Sequence, residues 1–121
     1  MRSKWIEFEG KKIFYQDFSK YFFDYEAVKK ELAEVQEIVI KEPLDSVLVL
    51  ANMTDTAIAG DLMTAMNDSS RLTKDHVHKT AVLGVTGIKQ KLGDLLSKLT
   101  GQPLKYFEDE LTAKQWLVSE D

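Results

Sequence analysis

The chain has 121 residues, 44% of them apolar, a formal net charge of −4 and no cysteine. That length fits one domain over 1–121, large enough to bury roughly two-thirds of the surface its unfolded chain exposes. Lack of cysteine excludes a disulfide framework, a thiolate zinc site and a cysteine nucleophile, and the acidic balance argues against a general nucleic-acid binder, which needs a basic face to displace counterions.

Met1-Arg2-Ser3-Lys4 is not followed by an apolar run, so no signal peptide is expected. No apolar run approaches the ~20 residues of a membrane span. A cytoplasmic location is expected, in keeping with the absence of cysteine. Trp5–Glu9 (WIEFE) and Lys12–Gln16 (KIFYQ) are rich in strand formers, and Glu9-Gly10-Lys11 between them predicts a β-hairpin. Asp17–Phe23 is a connection with aromatics at Phe18, Tyr21, Phe22 and Phe23, and Asp24 is placed to cap a helix. Some of these aromatics could cover a cavity or an interface; a hydrophobic staple at the helix entry is the plainer account.

From Tyr25 to about Lys41 the residues Val28, Leu32, Val35 and Val39 recur at helical spacing. Ile38-Val39-Ile40 is β-branched and reads equally as strand, and Pro43 limits the helix by disfavouring helical geometry at Glu42. Val47–Leu50 (VLVL) is a short apolar run between turns, the mark of a strand buried on both faces. Asn52–Asp55 is polar, and Thr54 or Asp55 can cap the helix expected from Ala57 to about Lys74. Asp68-Ser69-Ser70 is expected to weaken, bend or end that helix. Asp75–Lys79 reads as a polar loop and Ala81–Leu83 as a second buried strand, followed by a tight turn flanked by Gly84 and Gly87. The next helix is predicted over Ile88–Thr100, closed by Gly101 and Pro103. Leu104–Phe107 is a short strand. Asp109 caps a last helix that buries Ala113, Trp116 and Leu117, with Glu108 and Glu110 at its positive end. The order β-β-α-β-α-β-α-β-α predicts an α/β fold with four helices and a mixed, mostly parallel five-stranded sheet.

The segment KTAVLGVTGIKQKL, the ending YFEDELTAKQWL and the order of elements resemble the SpoIIAA-like proteins of the wider STAS/SEC14-like group. In that family a strand of small apolar residues leads to a glycine turn, and an acidic cap precedes an Ala-x-x-Trp-Leu helix, here Ala113, Trp116 and Leu117. The resemblance spans roughly the whole chain and is most specific in its last forty or so residues. It implies a STAS-like, non-enzymatic module that acts through a protein partner. Such modules are switched by phosphorylation at the start of the helix after the third strand, where the usual pattern is Asp-Ser-Ser-Gly-Leu. The matching residues here are Asn52-Met53-Thr54-Asp55-Thr56-Ala57, without the glycine or the serine pair. Thr54 and Thr56, with Asp55 between them, are the candidate phospho-acceptors or partner loop. The same group includes proposed carriers of small nonpolar molecules that touch membranes.

Each candidate has a structural alternative. Phosphate on Thr54 or Thr56 at a helix start would meet free backbone N–H groups, whereas the plain reading of the site is a cap. Gly84-Val85-Thr86-Gly87 could cradle an anion, but lacks a Walker pattern and reads as a strand-to-helix turn. His76 and His78, with Asp75, could share a metal if extended; histidines in a polar loop are more often solvated, and no metal or other cofactor is expected. Asp17, Asp55 and Asp61 are not paired with a nucleophile or base, so an enzyme is not expected. Met53, Ile58, Leu62, Met63 and Met66 form an apolar stripe that either lines a pocket for a nonpolar ligand or is core facing the sheet. The leading expectation is therefore a binding module with a protein partner or a homo-oligomeric surface. The alternative is a carrier or sensor of a small nonpolar, lipid-like ligand, with membrane association open to it.

Overall fold

The structure, a computed structural model, describes residues 1–58, 60–85 and 104–120. β1 (Lys4–Phe8) and β2 (Lys11–Asp17) pair antiparallel, with Phe8 opposite Lys11. Glu9 and Gly10 between them have φ of 50° and 80°. Positive φ at both central residues is the primed two-residue turn whose twist matches that of the flanking strands.

Asp24 starts α1 (Tyr25–Val39) by accepting the Ala27 N–H on Oδ1 at 3.2 Å. The β-branched Ile38-Val39-Ile40 segment resolves as the end of this helix, not as a strand. The inner face holds Val28, Val35 and Val39 as expected, but its fourth buried residue is Glu31 and Leu32 is only partly buried. The periodicity could not foresee a buried carboxylate. Glu31 is tolerated there because Oε2 accepts the Ser3 N–H (2.9 Å) and hydroxyl (2.6 Å), and Oε1 the Arg2 N–H (3.2 Å). Phe23, the residue before the cap, is exposed and forms no staple.

β3 (Val47–Asn52) is buried from Val47 to Ala51 and runs two residues beyond the predicted end. α2 spans Gly60–Thr73, a later start than Ala57. The delay arises because Met53–Ala57 is tied to the connection after β2: Lys20 N–H bonds Thr54 O, Phe22 N–H bonds Asp55 O, and Ala57 N–H bonds Phe22 O. Neither Thr54 nor Asp55 is therefore placed to cap α2. Asp68-Ser69-Ser70 does not break the helix; the Thr73 hydroxyl returns to Ser69 O at 3.0 Å.

β4 covers Val77–Leu83, so Val77, His78 and Lys79 are strand and not the loop expected from their polarity. Val47 pairs with Val77 but Leu48 with Lys79, leaving His78 as a bulge. The extra residue sends Val77 and Lys79 to opposite faces, where Lys79 Nζ donates to Trp116 O (2.9 Å) and Ser119 O (3.0 Å). Tertiary hydrogen bonds thus override the local polarity. β5 (Leu104–Phe107) and α3 (Glu110–Val118) follow, α3 capped by Asp109, which accepts the Thr112 N–H at 2.7 Å. The turn residue Gly87 and the helix predicted over Ile88–Thr100, with its terminator Gly101, lie outside the described residues.

The five strands lie in the order β1-β2-β3-β4-β5; only the first pair is antiparallel. Neighbouring parallel strands joined by crossovers of one hand put successive helices on one face. Accordingly α1 and α2 share one core with Phe14, Val49, Ala51 and Val82. α3 covers the other face, where Ala113 and Leu117 pack on Ile13, Leu50, Ala81 and Leu83. Three helices flank the sheet among the described residues.

Candidate functional site

Alternation along the strands builds the floor of a pocket beneath α1 and α2. Pairing registers place Gln16, Ala51, Val82 and Tyr106 in one row across β2–β5, and Val49, Thr80 and Leu104 in the next. All seven line a cavity of about 130 Å³. Ala51 and Thr80 are small for central positions of such rows, and the roof of Val35, Gln36, Met63, Met66 and Ser70 does not fill what they leave. Of the apolar stripe read from sequence, Met53, Ile58, Met63 and Met66 line this space. Leu62 does not; it is fully buried in the adjoining core. Phe18 adds an aromatic wall, so one aromatic of the Asp17–Phe23 connection does cover the cavity.

The loop leaving β3 lies at the carboxyl end of the sheet. Asn52 Oδ1 accepts both the Thr54 N–H (3.0 Å) and the Thr54 hydroxyl (2.6 Å), closing an Asx turn, while its amide donates to Tyr15 OH at 2.9 Å. Thr54 and Asp55 are exposed, and Asp55 has a φ of 58°. Thr56 is only 4% exposed. Its hydroxyl donates to Phe18 O and accepts the Tyr21 N–H, latching the two connections together. The free face of this loop pair carries Phe22 and Phe23, 58% and 78% exposed.

No family model and no curated protein matches the chain. Among solved structures it is similar to an uncharacterised protein of the DUF3478 family with a SpoIIAA-like fold, from Shewanella loihica PV-4. The two are 17% identical with a TM-score of 0.66, over 95% of this chain and 91% of that one. The chain has a SpoIIAA-like fold.

Within this SpoIIAA-like frame the Asn52–Ala57 loop follows the third strand, as the sequence resemblance placed it. Thr54 offers an accessible side chain there, whereas Thr56 is walled in. α2 begins six residues after Thr54, so its first turn is not adjacent in sequence to that hydroxyl. The strand order never reverses among the described strands, so this SpoIIAA-like sheet lacks the switch-point crevice in which open α/β sheets bind ligands. The space lies instead between sheet and helices. The histidines stand apart from it: His76 Nδ1 is 2.8 Å from Glu42 O, and His78 Nδ1 is 2.8 Å from Asp45 Oδ1 on an exposed edge. Among the described residues no three metal-ligating side chains converge. No described helix is long and apolar enough to cross a membrane.

Sequence reasoning missed Gln16, Gln36, Ala51 and Thr80 as pocket residues. A signal existed for each. Gln16 follows Phe14 on the same strand face, Gln36 interrupts the apolar stripe of α1, and Ala51 and Thr80 are the small members of buried strands.

Proposed function

We propose that the chain is a non-enzymatic STAS-type module of the cytosol that takes up a small nonpolar ligand between the α1–α2 layer and the sheet. The observation that carries this reading is the ≈ 130 Å³ pocket, whose wall is mainly Val, Leu, Ile, Met and Phe. Protein interiors normally close to leave few voids larger than a water molecule, and apolar concavities with a few polar groups are the common form of ligand sites. Three methionines in the wall suit an adaptable fit. Native mass spectrometry of the purified chain tests this. A bound neutral mass released by collisional activation is expected. A chain that carries no added mass and gains no thermal stability from saturating toluene would remove the reading.

A second reading is favoured by a separate observation. Thr54 and Asp55 are exposed beside Phe22 and Phe23 at one end of the sheet, a polar loop flanked by uncovered aromatics. Aromatic side chains are enriched at protein interfaces. A protein partner or a second copy of the chain would engage this edge. Replacing Phe22 and Phe23 by serine should abolish self-association or partner capture while leaving the circular dichroism spectrum unchanged.

A further inference from the structure

We infer that the pocket selects an uncharged ligand of benzene-like size bearing one hydrogen-bonding group, and that the Thr80 hydroxyl reads that group. The inference rests on the pocket being a ligand site and adds the class of ligand it takes. Size comes first. A cavity of roughly 150 Å³ lined by aliphatic and aromatic side chains binds benzene, so the ≈ 130 Å³ here suits a ligand of about six to nine non-hydrogen atoms.

Charge is the second restriction. No aspartate, glutamate, lysine, arginine or histidine is among the described residues that line the pocket. An ion taken out of water needs a counter-charge, and the described lining offers none. Carboxylates, phosphates and amines are therefore disfavoured relative to neutral molecules of the same shape.

The third restriction is the polar group. Thr80 sits in the floor, 8% exposed, between Val49 of β3 and Leu104 of β5. Its side chain lies on the pocket side of the sheet, in the same row as Val49 and Leu104. Valine would fill the same volume and suit both neighbours better. A hydroxyl in an apolar wall both donates and accepts, which valine cannot do. A carbonyl or hydroxyl on the ligand would pair with it. The Gln16 and Gln36 amides, at the β2 end of the floor and in the α1 roof, supply further donors and acceptors.

Two matched pairs of probes test the inference on the full chain by calorimetric or NMR titration. Toluene and phenol have the same shape and differ in one hydroxyl. Benzamide and benzoate have the same shape and differ in charge. Benzamide is expected to bind and benzoate not to. Thr80→Val is expected to shift the phenol-to-toluene affinity ratio toward toluene by roughly 3- to 10-fold, the range of one net hydrogen bond. Thr80→Ser, which keeps the hydroxyl, should hold the wild-type ratio. If Thr80→Val does not fold, Thr80→Ser and the benzamide–benzoate pair on the wild type decide the matter. Benzoate binding as tightly as benzamide, or an unchanged phenol-to-toluene ratio in folded Thr80→Val, overturns the inference while leaving the pocket a ligand site. Failure of all four probes to bind removes the ligand reading itself.

Discussion

Gly84 joins the end of β4 to the loop that leaves β3. Its φ is 80°, and a Cβ built there would lie 2.5 Å from both the N and the Cα of Thr54. Two penalties would thus fall on any side chain: a left-handed backbone and a collision with main chain that cannot swing away. Met53 N–H also bonds Leu83 O at 2.9 Å, so the two segments are fixed against each other just before the contact. Gly84→Ala is expected to destabilise the fold by at least ~2 kcal/mol, from the left-handed backbone and the overpacking together. Urea denaturation followed by circular dichroism measures it, and a loss within experimental error of zero would show that the Asn52–Thr56 loop yields. Half of this was legible in sequence, because a glycine after a buried strand announces positive φ. The close approach to Thr54 was not, since it joins residues thirty positions apart. The same division applies to the threonines: their presence after β3 could be read, but not that Thr56 turns inward to latch Phe18 and Tyr21 while Thr54 stays outside.

Among the elements, those with strong local signals were legible and those governed by distant partners were not. The hairpin, α1 with its Asp24 cap, and α3 with its Asp109 cap follow from turn chemistry, spacing and capping residues. β4 was read short because His78 and Lys79 are polar; the bulge and the carbonyls at the end of α3 that accommodate them belong to other parts of the chain. α2 was read long because nothing local reveals that Ala57 bonds Phe22. The α3 cap gives a test with a pH signature. Hydrogen bonds from the Thr112 N–H, chiefly, and from its hydroxyl hold the Asp109 carboxyl below the ordinary value of 3.8. A carboxyl with a lowered folded-state pKa stabilises the fold above its unfolded-state pKa and loses that contribution as the pH falls through the folded-state value. Asp109→Ala should therefore melt below wild type near neutral pH. The gap should narrow as the pH drops below 3.8. A gap that stays constant into acid would mean that the cap acts through geometry alone.

At the scale of the whole molecule, one sheet divides two apolar layers of different construction. The α1–α2 layer holds the pocket, while in the α3 layer Leu117 is buried and Trp116 is tilted against Phe107 at 5.5 Å. A void loosens its own layer, because lining atoms lose contacts on one side. Whether the two layers still unfold as one depends on the sheet, whose central strands β3 and β4 contribute side chains to both: Val49 and Val82 to one, Leu50 and Ala81 to the other. Every central strand residue removed from one layer thus drags its neighbour from the other, which predicts a single cooperative transition. The chain supplies its own reporters. Its two tryptophans lie in different layers, Trp5 stacked on Phe14 at 4.8 Å and Trp116 on α3 itself. In Trp116→Phe the fluorescence reports the pocket side, and in Trp5→Phe the α3 side. Within each variant, fluorescence and far-ultraviolet circular dichroism are expected to give the same urea midpoint and slope. A pocket-side midpoint that precedes the circular dichroism transition would instead make the α1–α2 layer a separately opening unit. Toluene would then raise the earlier transition alone, because a ligand stabilises only the unit that holds it.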